Sequence, residues 1–88
     1  MVFPHVRALG LNIRRLRKER GYTQEVLAER ADIDVRHLQR VEAGEPDPGF
    51  VLLDKICLAL GCDWNAMTAD IHNPQHAWKP RRQGQVHA

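Results

Sequence analysis

Two residues, Asp32 and Ile33, are all that separates two short segments with helical patterning. Thr23 is placed to cap the first segment, Gln24-Glu25-Val26-Leu27-Ala28-Glu29-Arg30-Ala31, by offering its hydroxyl to unbonded N–H groups of the opening turn. Asp34 is placed to do the same for a second segment, Val35 to Ala43, which stops at Gly44. A connection this short forces a sharp angle between the two helices. It therefore constrains the fold more than any bulk property of the chain.

The flanking sequence supplies what such a pair packs against. Val6, Leu9, Ile13 and Leu16 recur at intervals of three, four and three, which predicts a helix over about residues 4–20 ending at Gly21. The next two helices are expected at 23–31 and 34–43. Glu45-Pro46-Asp47-Pro48-Gly49 is a turn on composition. A fourth helix, about 50–60, carries the stripe Leu53, Ile56, Cys57, Leu60 and stops at Gly61; Asp63 can cap a short fifth helix, 63–68. There are no repeats and no strand-like alternation, so the expected fold class is all-α, a compact five-helix domain over residues 1–68. Residues 69–88 hold only Ile71, Trp78 and Val86 as large apolar side chains and are expected to form a flexible tail. An 88-residue chain has room for one domain, burying about 60% of its unfolded surface.

Several function classes are excluded at this stage. No apolar run approaches the roughly 18 residues of a membrane span, and no charged N-terminal region leads into an apolar one. A soluble cytoplasmic protein with no membrane role is expected. Five aromatic residues are few for a sheet that stacks bases, and a net charge of +2 leaves any nucleic-acid case to the placement of charge. Cys57, Cys62, His72 and His76 imitate a zinc pattern, but the gap before His72 is shorter than the usual run of about 12. Cys57 lies on the apolar stripe and Cys62 follows the Gly61 stop, so both are expected in the core, with no metal and no cofactor. No spacing offers a nucleophile–base pair, a carboxylate dyad or a phosphate-cradling glycine loop, so no enzyme is expected.

The outward face of the third helix carries the functional signal. With Leu38 and Val41 turned inward, Val35, Arg36, Gln39 and Arg40 fall on the other side. Arginine and glutamine make bidentate contacts with guanine and adenine edges, and valine suits a thymine methyl. Joined to the two-residue connection, this is helix-turn-helix geometry, whose second helix can enter a major groove.

Over about residues 9–67, Ile13, Leu16, Arg17, Gly21, Thr23-Gln24, Leu27-Ala28, Ile33, Leu38, Val41-Glu42, Gly44, Pro48, Leu53, Ile56, Leu60 and Gly61 stand in register with one family pattern. The chain resembles the phage-repressor and Cro-like helix-turn-helix family of bacterial and viral transcription regulators (xenobiotic-response-element type). The resemblance implies base contacts from Val35, Arg36, Gln39 and Arg40. It implies phosphate contacts from Gln24, which also braces a base-reading side chain, with His37 and Arg14 as further phosphate candidates. Arg17 and Glu42 match a structural ion pair.

It further implies a homodimer on a double-stranded operator, with Val51, Leu52, Leu58, Trp64 and Met67 as candidate interface residues or, alternatively, parts of a slightly larger core. The first helix carries six cations against Glu19 over residues 7–20. The chain departs from the pattern at Ala43, where the family often has Asn or a basic residue. Residues 42–54 hold Glu42, Glu45, Asp47 and Asp54 with no cation. Those anions would repel DNA. Asp34 replaces a common Ser yet still caps. The function implied is a sequence-specific repressor or autoregulator. The alternative is an antitoxin-like or bridging protein that uses the domain for protein contacts, with the tail as a possible partner site. The tail cations Lys79, Arg81 and Arg82 are expected to be inert.

Overall fold

The computed structural model describes residues 4–45 and 48–69. Five helices follow in order: α1 Pro4–Glu19, α2 Gln24–Ala31, α3 Val35–Glu42, α4 Phe50–Leu60 and α5 Trp64–Met67, and no strand occurs among the described residues. Each boundary lies within a residue of its sequence expectation. Beyond Ala69 the expected flexible tail, with His72, His76 and the cations that follow, lies outside the described residues, as does Asp47.

The boundaries follow from local chemistry. Thr23 Oγ1 accepts the Val26 N–H at 3.1 Å, Asp34 Oδ1 accepts that of Arg36 at 2.8 Å, and Asp63 Oδ1 accepts that of Ala66 at 2.8 Å. These bonds satisfy donors that the first helical turn leaves open. At the end of α2, Asp32 adopts φ 58°, the one non-glycine with positive φ among the described residues. The Ile33 N–H then closes onto the Ala28 carbonyl at 3.0 Å. That bond ends α2 and redirects the chain at once, so α3 starts two residues later. Aspartate is among the few side chains that tolerate this conformation.

The core gathers Leu9, Ile13 and Leu16 from α1, Leu27 and Ala28 from α2, Leu38 and Val41 from α3, Ile56, Cys57 and Leu60 from α4, and Met67 from α5. One open expectation is resolved here and another changes. Met67, a candidate for a partner interface or for a slightly larger core, is fully buried, so it belongs to the core and has no surface to offer a partner. Val35 was expected on the outer side of α3 but is half-buried and packs against the core. It stands three residues before Leu38, and that spacing puts the two on adjoining sides of the helix.

Polar side chains on α1 and just past its end fasten the ends of other helices. Asn12, itself buried, donates to the carbonyls of Met67 at 3.0 Å and Ala69 at 2.6 Å. The Arg20 Nε donates to the Leu60 carbonyl in the last turn of α4. Helix ends leave such carbonyls without partners, and a cation there also suits the helix dipole.

Candidate nucleic-acid interface

The outer face of α3 is supported from a buried charge. Arg17 Nε lies 2.7 Å from Glu42 Oε2 and its Nη2 3.1 Å from Oε1, while Nη1 donates to the Tyr22 carbonyl at 3.0 Å. The Arg17 and Glu42 side chains are only 10% and 5% exposed. Desolvation offsets much of the attraction in such a pair, so its contribution is chiefly to fix geometry.

Glu42 Oε1 also accepts Nε2 of Gln24 at 3.1 Å, and Gln24 Oε1 accepts Nε2 of Gln39 at 3.4 Å. The order of donors is dictated by chemistry. An ionised carboxylate only accepts, so Gln24 must turn its NH₂ toward Glu42 and its carbonyl toward Gln39. A polar chain thus runs from α1 through the first residue of α2 to the exposed face of α3.

Arg36, His37, Gln39 and Arg40 are exposed. Arg36, Gln39 and Arg40 line a shallow groove with Asp34, Ala43 and Glu45. The Arg36 guanidinium rests on Asp34, with both contacts at 3.4 Å. The backbone N–H of Arg36 and then its side chain hold the Asp34 carboxyl below its usual value of 3.8. The ion pair is exposed and its contacts are long, so it restrains Arg36 weakly. Arg14 stands on the exposed side of α1 with Arg7, Leu11 and Lys18.

The charge counts read from sequence change once partners are known. Of the six cations over residues 7–20, Arg17 is buried against Glu42, Arg20 donates to the Leu60 carbonyl, and Arg15 pairs with Glu19 at 3.2 Å. Glu42 is buried against Arg17 and adds no free anion to the 42–54 segment, while Glu45 is exposed and Asp54 half-buried.

The polar chain and the caps around it all fall within one matched span. The model of a helix-turn-helix family matches residues 13–66. The chain belongs to the phage-repressor and Cro-like helix-turn-helix family. It is 33% identical over 61 residues to the uncharacterized HTH-type transcriptional regulator YqaF of Bacillus subtilis strain 168, covering 69% of this chain and 80% of that protein. It is 36% identical over 53 residues to the uncharacterized HTH-type transcriptional regulator y4dJ of Sinorhizobium fredii, covering 60% of this chain and 69% of that protein. Membership in this family of DNA-binding transcription regulators makes α2 and α3 the helix-turn-helix pair. No helix among the described residues is long and apolar enough to cross a membrane.

On the helix-turn-helix domain's α4 side, Phe50, Val51 and Leu58 are 71%, 66% and 74% exposed. The Phe50 and half-buried Trp64 rings stack, with centroids 5.2 Å apart and planes within 8°. Leu52 is half-buried and packs inward. Sequence reasoning missed Phe50; its spacing of eight from Leu58, which keeps both within one broad apolar face, was the signal available.

Proposed function

We propose that the protein is a sequence-specific regulator of double-stranded DNA, a repressor or autoregulator that acts as a homodimer with α3 in the major groove. The observation that carries this reading is the Arg17–Glu42–Gln24–Gln39 chain. It holds a bidentate-capable amide at the centre of an exposed face that also bears Arg36 and Arg40. Gln24 opens α2, where backbone N–H groups are free to meet a phosphate. In the bound arrangement Arg36, Gln39 and Arg40 address base edges, Val35 offers the methyl surface left to it by the core, and His37 and Arg14 meet phosphates.

Selection of bound sites from random duplexes tests this. The wild type is expected to enrich a two-fold symmetric site with half-sites about one helical turn apart. Arg36→Ala is expected to lose preference at one base pair per half-site, worth about 1–3 kcal/mol, while keeping the steep salt dependence of phosphate contacts. Equal binding of all sequences by both proteins, or affinity indifferent to salt, would favour a bridging or antitoxin-like protein. The exposed Glu45 in the groove beside Arg36 and Arg40 is the feature on that side.

The dimer surface we propose is Phe50, Val51, Leu58 and Trp64, with Leu52 beneath. An apolar cluster this exposed marks an association surface. Leu58→Glu is expected to sediment as a monomer at concentrations where the wild type is dimeric, and to bind half-site and full-site duplexes equally. A Leu58→Glu protein that remains dimeric would remove this surface from consideration.

A further inference from the structure

The α4–α5 corner holds chemistry that DNA recognition does not use. α4 ends with Gly61 in the left-handed region at φ 66°. The Gly61 N–H donates to the Leu58 carbonyl at 3.1 Å, and the Cys62 N–H donates to the Cys57 carbonyl at 3.3 Å. A cap with this bonding brings together the side chains five residues apart across it, and that contact is ordinarily apolar. Here both side chains are thiols. Their sulfurs lie 3.7 Å apart, and the Cys57 S–H donates to the Cys62 carbonyl at 2.9 Å. Both cysteines are free, Cys57 buried and Cys62 half-buried.

We propose that Cys57 and Cys62 form a reversible dithiol–disulfide site that small-molecule disulfides of the glutathione class oxidise. The half-exposed Cys62 thiolate attacks one sulfur of the reagent. The reagent's S–S bond breaks, a mixed disulfide forms at Cys62, and the departing thiolate takes up the Cys62 proton. Cys57 then gives up its proton and attacks Cys62 Sγ. The mixed disulfide breaks, and the second thiolate leaves with that proton. Two protein thiols are oxidised and one small disulfide is reduced to two thiols.

The order follows from access and ionisation. Cys57 is inside, and burial together with its bond to Cys62 pushes its thiol up to about 11, with Asp54 and Asp63 adding to the rise. Cys62 therefore meets the reagent first. A disulfide needs about 2.05 Å between sulfurs, so the two must close by roughly 1.7 Å. The chain at Gly61 and Cys62, outside any helix, is the part able to move. Trp64, whose ring stacks on Phe50, follows two residues later.

The full chain is equilibrated in glutathione buffers of increasing oxidised fraction, quenched in acid, alkylated with N-ethylmaleimide and weighed intact. The wild type is expected to lose both thiols together, giving a mass two hydrogens below the reduced chain. It should run as a single chain on a non-reducing gel, and dithiothreitol should restore both thiols. Cys57→Ser is expected to retain glutathione at Cys62, and Cys62→Ser to stay unmodified. Wild-type protein that accumulates the glutathione adduct, keeps both thiols throughout, or cross-links between chains would overturn the proposal. The wild-type arm decides the matter even where Cys57→Ser fails to fold, and Cys57→Ala repeats the adduct measurement with an apolar side chain in the core.

Discussion

Glu42→Ala is expected to melt more than about 12 °C below the wild type, from a loss of about 3–5 kcal/mol at roughly 4–8 °C per kcal/mol in a domain of this size. The substitution does not merely delete an attraction. It leaves the Arg17 guanidinium, 10% exposed, with its Tyr22 carbonyl bond and no counter-charge. Stranded charge is the expensive state, whereas a pair replaced on both sides by apolar groups is often near neutral. Arg17→Met combined with Glu42→Leu is therefore expected to recover most of the lost melting temperature. Thermal unfolding by circular dichroism separates the outcomes, and a single Glu42→Ala variant that melts like the wild type would sink the assignment. The same variant frees the Gln24 amide, so Gln39 loses its support. DNA affinity measured well below the melting transition should fall modestly while the preferred bases stay the same.

The features that sequence reasoning placed well are those governed by chemistry within a few residues. Thr23, Asp34 and Asp63 cap helices through bonds spanning two or three residues, and Gly61 ends α4 in its own immediate neighbourhood. What depended on distant partners was harder to read. Arg20 is one more cation in a basic helix until the Leu60 carbonyl, 40 residues away, is known to receive it. Asn12 is buried because it bonds the Met67 carbonyl 55 residues on, and nothing near Asn12 announces that. Met67 sits in a four-residue helix, too short for periodicity to separate inside from outside. The Arg17–Glu42 pair spans 25 residues and was legible only through the family pattern. The candidate DNA face combines both cases: its outward residues follow from helical spacing, whereas the Gln24–Gln39 support follows from tertiary packing.

Gly10→Ala is expected to destabilise the fold by about 2–3 kcal/mol, in the range of an overpacked interior, although alanine is the better helix former by about 1 kcal/mol. A mid-helix glycine in an isolated segment would invite that substitution as an improvement. Here the sign is reversed by what faces it. A Cβ at position 10 would stand 2.3 Å from the Val41 carbonyl oxygen and 2.9 Å from that of Glu42. Both are backbone atoms of the last turn of α3, so no side-chain rotation can make room. Relief requires α1 and α3 to separate. Arg17 lies two turns further along α1 on the same side, and its bond to Glu42 would have to lengthen with them. Gly10→Ala and Glu42→Ala thus loosen one joint, and their effects should combine to less than their sum, a coupling that the double variant measures directly. Denaturant unfolding of the four proteins tests this. A Gly10→Ala protein as stable as the wild type would show that α1 and α3 do not approach so closely, and would remove the rigid backing on which the orientation of α3 depends.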